Sequence, residues 1–135
     1  MNRRMLTREE EEAAGEEIEV RREDQDKINK FSRLHQHELS IEEKLTIKNK
    51  EKEELDDVTT ELELADEDET VPYKVGDAFF HVSLPQAQEM LGVSSAKIED
   101  EIAVLEDKLA GIRDEMSELK VDLYARFGKT INLET

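Results

Sequence analysis

The sequence predicts a mostly α-helical fold: a long antiparallel two-helix coiled coil with a single central β-hairpin. Apolar residues in the second half of the chain recur every 3.5 residues over nearly four heptads. A short stretch of alternating apolar and polar residues lies in the middle of the chain. The composition, 36% hydrophobic against 41% charged, offers little material for a globular core but suits a narrow apolar stripe.

The second helix, predicted over residues 84–127, has the stronger heptad pattern. Ser83 is a suitable N-cap, and Gln86 follows three residues later, as in a capping box. Gly128 is a suitable stop at the other end. The predicted seam residues are Ile98, Ile102, Leu105, Leu109, Ile112, Met116, Leu119 and Leu123.

The first helix, predicted over residues 23–65, starts with acidic residues, which suit the positive end of the helix dipole. Its seam is weaker because Glu38, Lys48 and Lys52 interrupt it. We therefore expect the second helix to enforce its register. The apolar and small residues assigned to its seam are Phe31, Leu34, Ile41, Leu45, Leu55, Thr59 and Leu62.

The hairpin is predicted over residues 70–83, with Gly76 and Asp77 forming a two-residue type II′ turn. Alternation places six residues on one face of it: Val71, Tyr73, Val75, Ala78, Phe80 and Val82. A lone hairpin is marginal in water and leaves two strand edges unpaired. We therefore expect the hairpin to pair with strands of other chains, which makes the protein a subunit of an assembly.

The two ends of the chain should lie together, because a central hairpin makes the helices fold back antiparallel. Residues 1–22 are polar and charged, and we expect a disordered acidic tail there. Residues 23–135 then form a single domain, with residues 128–135 as a short tail after the second helix.

Charge and composition exclude several classes of function. A net charge of −17 repels nucleic acid and anionic membrane surfaces, and no apolar run is long enough to span a membrane. The chain has no cysteine, its three histidines (His35, His37 and His81) lack further ligands nearby, and the acidic run at 66–69 lacks EF-hand spacing. We expect no metal, no cofactor and no enzyme activity, in a soluble protein of the cytoplasm, with the nucleus as a further compartment.

Several blocks of sequence, in the same order and at similar spacing, resemble the prefoldin family, and within it the β-class subunits. They cover residues 24–134 and read DQDKINKF (24–31), LAD (64–66), PYKVGDAF (72–79), QEML (88–91), LYARFG (123–128) and INLE (131–134). The sequence departs from the family pattern at two places. Glu38 occupies a seam position where an apolar residue is expected. The stretch from Gly92 to Ser95 is less favourable to helix than expected, which puts the continuity of the second helix in doubt there.

The resemblance implies one of six subunits, in a complex with two α-class and three further β-class subunits. The hairpins of such a complex build an inter-subunit β-barrel from which the coiled coils project. It implies capture of unfolded polypeptides, chiefly actin and tubulin, at the coiled-coil tips, and their delivery to the cytosolic chaperonin without ATP.

The free end has more apolar residues than a two-helix seam can bury. Apolar groups that stay partly exposed there are suited to holding nonnative chains. The six tip residues are Ile28, Phe31, Tyr124, Phe127, Ile131 and Leu133. The structural alternative is that they only close the end of the coiled coil. Two alternatives to a chaperone subunit also remain: a coiled-coil adaptor in another complex, and an acidic histone chaperone that works through charge.

Overall fold

The computed structural model describes residues 19–65, 70–75 and 78–134, with the backbone alone described at 73–75 and 78–80. Helix α1 spans Arg22–Glu63, strands β1 and β2 span Thr70–Val75 and Ala78–Ser83, and helix α2 spans Leu84–Phe127. Helix α1 therefore ends two residues before the predicted boundary. Most of the predicted tail, the acidic run at 66–69 and the turn at 76–77 lie outside the described residues.

The start of α1 is fixed by its own sequence. Asp24, in the first turn, accepts a hydrogen bond from the backbone N–H of Arg21 at 2.9 Å. This bond satisfies a backbone donor just before the helix, as the second half of a capping box does. Residues 19–21, part of the predicted tail, are non-helical and precede this cap.

The chain divides into two compact units. Of the described residues, 19–43 and 107–134 form the tip unit, and 44–65, 70–75 and 78–106 form the hairpin unit. In the tip unit the helices are antiparallel, since Asp24 contacts Arg126 while Glu38 contacts Arg113. In the hairpin unit they are antiparallel too, since Lys48 contacts Glu101 while Lys52 contacts Glu99.

The core of the tip unit is the seam between α1 and α2, extended by one residue from the C-terminal segment. All its members are at most 9% exposed. They are Ile28, Phe31, Ile41, Leu109, Ile112, Met116, Leu119, Leu123, Phe127 and Leu133. The heptad spacing therefore produces an apolar stripe along α2, as the period of 3.5 residues requires, while buried polar groups such as Glu38 interrupt it on α1.

The core of the hairpin unit gathers where the helices meet the hairpin. Leu62, Leu84, Ala87 and Leu91 are buried there. In the seam of this unit, Ile102 is buried, while Ile98 and Leu105 are half-buried.

The start of α2 confirms the predicted capping box. The backbone N–H of Gln86 donates to Ser83 Oγ at 3.3 Å, and the backbone N–H of Ser83 donates to Gln86 Oε1 at 3.2 Å. Ser83 is also the last residue of β2, so strand and helix meet without a loop. This direct connection fixes the position of β2 relative to the first turn of α2.

The doubt about helix continuity at Gly92 to Ser95 was wrong, because α2 runs through this stretch. Gly92 is exposed and Val93 is 67% exposed, so these residues face solvent. A glycine on a solvent-facing side lowers helix propensity by roughly 1 kcal/mol without opening the seam. The buried residues Leu91 and Ile102 on either side hold the helix in place.

Candidate functional site

The six tip residues come together in the tip unit, but most of them are buried. Ile28, Phe31, Phe127 and Leu133 are 7%, 2%, 4% and 0% exposed, while Tyr124 and Ile131 are half-buried. The expectation of partly exposed apolar groups was therefore wrong for four of the six. Phe31 is buried in the seam between the helices, and the C-terminal segment turns back so that Leu133 is buried as well. This burial agrees with the alternative that these residues close the end of the coiled coil.

The reversal begins at Gly128. This glycine has φ +58°, a left-handed conformation that other residues adopt only with strain. A 3-10 turn over Gly128–Thr130 follows, in which Thr130 Oγ1 donates to the Phe127 carbonyl at 2.5 Å. Ile131 is extended, and the backbone N–H of Leu133 then donates to the Tyr124 hydroxyl oxygen at 3.0 Å. The segment thus returns to the last turn of α2.

A buried ion pair joins the two helices at this end. Arg126 Nε donates to Asp24 Oδ2 at 2.6 Å, and the side chain of Asp24 is 6% exposed. Arg126 also donates through Nη2 to the Glu19 carbonyl and lies 5.4 Å from the centre of the Phe127 ring. One guanidinium therefore connects α2, the start of α1 and the residues before it.

Burial of Asp24 favours its protonated form, but hydrogen bonds outweigh that effect. The backbone N–H of Arg21 and the guanidinium of Arg126 both donate to the carboxylate, and the net result is a pKa below the ordinary value. Sequence analysis missed this pair. The available signal was the placement of both residues in the blocks that resemble prefoldin, at opposite ends of an antiparallel pair.

A polar layer crosses the tip unit at Glu38, the predicted break in the seam. Glu38 is 8% exposed; its Oε2 accepts from Arg113 Nε at 3.0 Å, and its Oε1 lies 3.2 Å from His35 Nδ1. Arg113 also donates to Glu42 at 2.7 Å. These hydrogen bonds, first to Glu38 and then to Glu42, raise the pKa of Arg113. The charged seam residue is thus tolerated because α2 supplies its partner.

The other seam interruptions are paired as well. Lys48 donates to Glu101 at 2.7 Å in the hairpin unit, and Lys52 lies 3.8 Å from Glu99. The hydrogen bond with Glu101 raises the pKa of Lys48 and lowers that of its partner. Such pairs across an antiparallel interface select the register more than they add stability, since both partners are partly solvated.

The predicted assembly hairpin has the expected register. Its Cα partners are Val71 with Val82, Tyr73 with Phe80, and Val75 with Ala78, so each predicted face residue lies opposite another. Val71 and Val82 are half-buried and pack against the Leu62, Leu84, Ala87 and Leu91 cluster of the same chain. These two valines therefore pack within the subunit, an intramolecular role that the alternation pattern did not predict.

Neither described helix combines the length and the apolarity needed to cross a bilayer. Within 19–65, 70–75 and 78–134, no group of three or more acidic, histidine or cysteine side chains is placed to hold a metal ion.

Known proteins share both the sequence and the fold of this chain. Residues 25–130 match the profile of the family described as "Prefoldin subunit". The chain belongs to the prefoldin subunit family. Its members are chaperone subunits, not a class of enzymes, and the coiled coil and central hairpin seen here are the features of such a subunit.

Among relatives, "Prefoldin subunit 4" of Saccharomyces cerevisiae is 45% identical over 112 residues, covering 83% of this chain and 87% of that protein. "Prefoldin subunit 4" of Homo sapiens is 40% identical over 123 residues, covering 90% and 92%. The prefoldin beta subunit from Thermococcus strain KS-1 superposes with a TM-score of 0.76 at 15% identity, over 82% of this chain and 97% of that one. The last comparison establishes a common fold.

Proposed function

We propose that this chain is one β-class subunit of a hexameric prefoldin, together with two α-class and three further β-class subunits. The hexamer holds unfolded polypeptides, actin and tubulin among them, and passes them to the cytosolic chaperonin without ATP. Its place is the cytoplasm, with the nucleus as a further compartment. The observation that carries the proposal is a single hairpin between two long helices in a chain of the prefoldin family.

The hairpin supports assembly through its strand edges. In the part of the chain that the structure describes, β1 and β2 pair only with each other, so each strand keeps one outer edge. A two-stranded ribbon gains stability when further strands add to it. Val71 and Val82 anchor the ribbon on its own helices, which holds those edges in a fixed direction for neighbouring subunits.

The tip unit supports capture of clients through its apolar residues. Tyr124 and Ile131 are half-buried at this end and leave some apolar surface accessible, while Ile28, Phe31, Phe127 and Leu133 are buried in the same unit. A single such surface is small and binds weakly. Six tips on one assembly convert weak contacts into useful avidity, because each further contact with the same chain is intramolecular.

Assembly is tested by native mass spectrometry of the full chain mixed with the other prefoldin subunits. We expect a hexamer that contains one copy of this chain. Phe80→Asp should prevent its incorporation, because Phe80 belongs to the predicted apolar face. His81→Asp, at the neighbouring exposed position, is the matched control and should assemble normally.

Two results would contradict this proposal. The chain could stay monomeric or pair only with itself in the presence of the other subunits, which would favour a coiled-coil adaptor. Alternatively, the hexamer could form but hold no unfolded actin or tubulin, which would leave assembly in place and remove the client function.

A further inference from the structure

We infer that residues 128–134 form a latch that occupies, within the same chain, the apolar surface at which the tip holds an unfolded polypeptide. The latch must open before that surface can bind a client. This inference rests on the proposed function and concerns the regulation of the same site. It follows from the path of the C-terminal segment, from its burial and from the residues that surround it.

The segment reverses the chain direction at a single residue and runs back along the end of α2. Gly128, at φ +58°, reverses the chain directly after α2, and a Cβ added there would meet no atom within 4 Å. The glycine is therefore required by backbone conformation and not by lack of space. Opening at this residue requires a backbone rotation at Gly128 and loss of the Thr130 bond to the Phe127 carbonyl, while the bonds inside α2 can stay in place.

The bound segment resembles the type of ligand that the tip would hold. Ile131 is extended, with φ −124° and ψ 144°, and the sequence from Ile131 to Leu133 alternates apolar, polar and apolar residues. Leu133 is 0% exposed, while Ile131 and Asn132 are half-buried. An unfolded polypeptide also offers extended backbone with apolar side chains. The latch and a client would therefore compete for the same apolar surface of the tip.

The surface at this end contains the residues that a client would need. With the segment in place, Leu133 is 0% exposed and its backbone is bonded to Tyr124, and the neighbouring Phe127 is 4% exposed. Little apolar surface is then left for another chain at the last turn of α2. The latch is anchored by the buried Leu133, by the hydrogen bond from its backbone to the Tyr124 hydroxyl, and by the bond from Thr130 Oγ1 to the Phe127 carbonyl. Such terminal segments open locally far more easily than a helix core unfolds.

The test compares three full-length variants in the assembled hexamer. Leu133→Ser removes the buried side chain, and Tyr124→Phe removes the hydroxyl acceptor while keeping the ring. Val121→Ser is the matched control: it makes the same kind of apolar-to-serine change at a 68% exposed position near the end of α2. Hydrogen exchange of residues 123–134 measures opening, and binding of a labelled, reduced and carboxymethylated unfolded protein measures capture.

We expect Leu133→Ser to speed exchange at Phe127 and Leu133 and to tighten capture by about threefold or more, because apparent affinity scales with the open fraction. Tyr124→Phe should act in the same direction by a smaller factor, and Val121→Ser should match the wild type. Capture that is weakened by Leu133→Ser would make Leu133 a direct client contact and overturn the latch. Unchanged exchange would overturn it without reference to any client.

The outcomes also separate the latch from the proposed function. A wild-type hexamer that captures the unfolded protein, with no gain in either variant, contradicts the latch alone. A wild type that captures nothing while Leu133→Ser captures it supports a latch that is tightly closed. No capture by any form contradicts both the latch and client binding at the tip.

Discussion

At the scale of single residues, the tip unit depends on charges placed where a coiled coil normally has apolar side chains. Glu38 and Asp24 are 8% and 4% exposed, and each is compensated by an arginine from α2. Removing one partner of such a pair costs more than replacing the whole pair by apolar residues, because the remaining charge loses its solvation without compensation. Substitutions at Glu38 and Asp24 should therefore change the stability of the protein by a measurable amount.

Glu38→Ala should lower the free energy of unfolding by about 2 kcal/mol, since it leaves His35 and Arg113 without their shared acceptor. The loss of free energy of unfolding is no larger than this because Arg113 is 53% exposed and still forms its ion pair with Glu42. Glu38→Leu should recover much of the loss, as an apolar seam residue would. Urea unfolding followed by circular dichroism measures both, and a Leu variant no more stable than the Ala variant would contradict this account.

Asp24 should make stability depend on pH on the acid side. Its folded pKa lies below the unfolded value of about 3.9, so it contributes stability that is fully present above that value. The contribution is lost as the pH falls through the folded pKa. Asp24→Asn should therefore destabilise the protein at pH 7 and lose less on acidification than the wild type. Melting temperatures of both proteins across the acid range test this, and parallel curves would contradict it.

At the scale of elements, the two helices depend on each other to different degrees. Helix α2 carries an unbroken heptad seam, whereas α1 carries charged interruptions that find their partners on α2. This agrees with a register imposed by α2. Inside α1 the contrast between faces is sharp: Ile41 is 1% exposed, while Ile47 is 53% exposed on the same helix.

Ile41→Ala should lower the free energy of unfolding by about 3 kcal/mol, because it removes buried surface and leaves a cavity in the seam. Ile47→Ala is the matched control, with the same change on the same helix, and should stay within about 0.5 kcal/mol of the wild type. Urea unfolding of the two variants gives the comparison. Equal losses would mean that Ile47 is also covered in solution and would contradict the register of α1.

At the scale of the whole molecule, the net charge of −17 raises the question of what drives binding. A charge-driven acidic chaperone would bind basic proteins, and salt would release them. A chaperone that works through apolar tips would hold unfolded chains of any charge. Membership of a family of chaperone subunits favours the second mode.

Capture of an unfolded protein by the assembled hexamer should therefore survive high salt. Raising NaCl from about 0.1 M to about 1 M shortens the Debye length from about 10 Å to about 3 Å and removes most long-range attraction between charges. We expect the dissociation constant for unfolded actin to change by less than about threefold, since hydrophobic contacts are not screened. Release of the client at high salt would favour the charge-driven mode.

The sequence by itself determined the elements and their order. Heptad spacing, a capping box and a period of two predicted α1, β1, β2 and α2, because these patterns are local and each has one physical interpretation. Burial of the seam from Leu109 to Leu123 followed from the same spacing.

The tertiary structure alone decided which groups meet. The pairing of Asp24 with Arg126 and of Glu38 with Arg113 joins residues far apart in sequence, which periodicity cannot match. The burial of Leu133 depends on a reversal at Gly128, where the sequence indicated only that the helix stops. A residue's exposure is set by everything that packs on it, and local pattern does not contain that information.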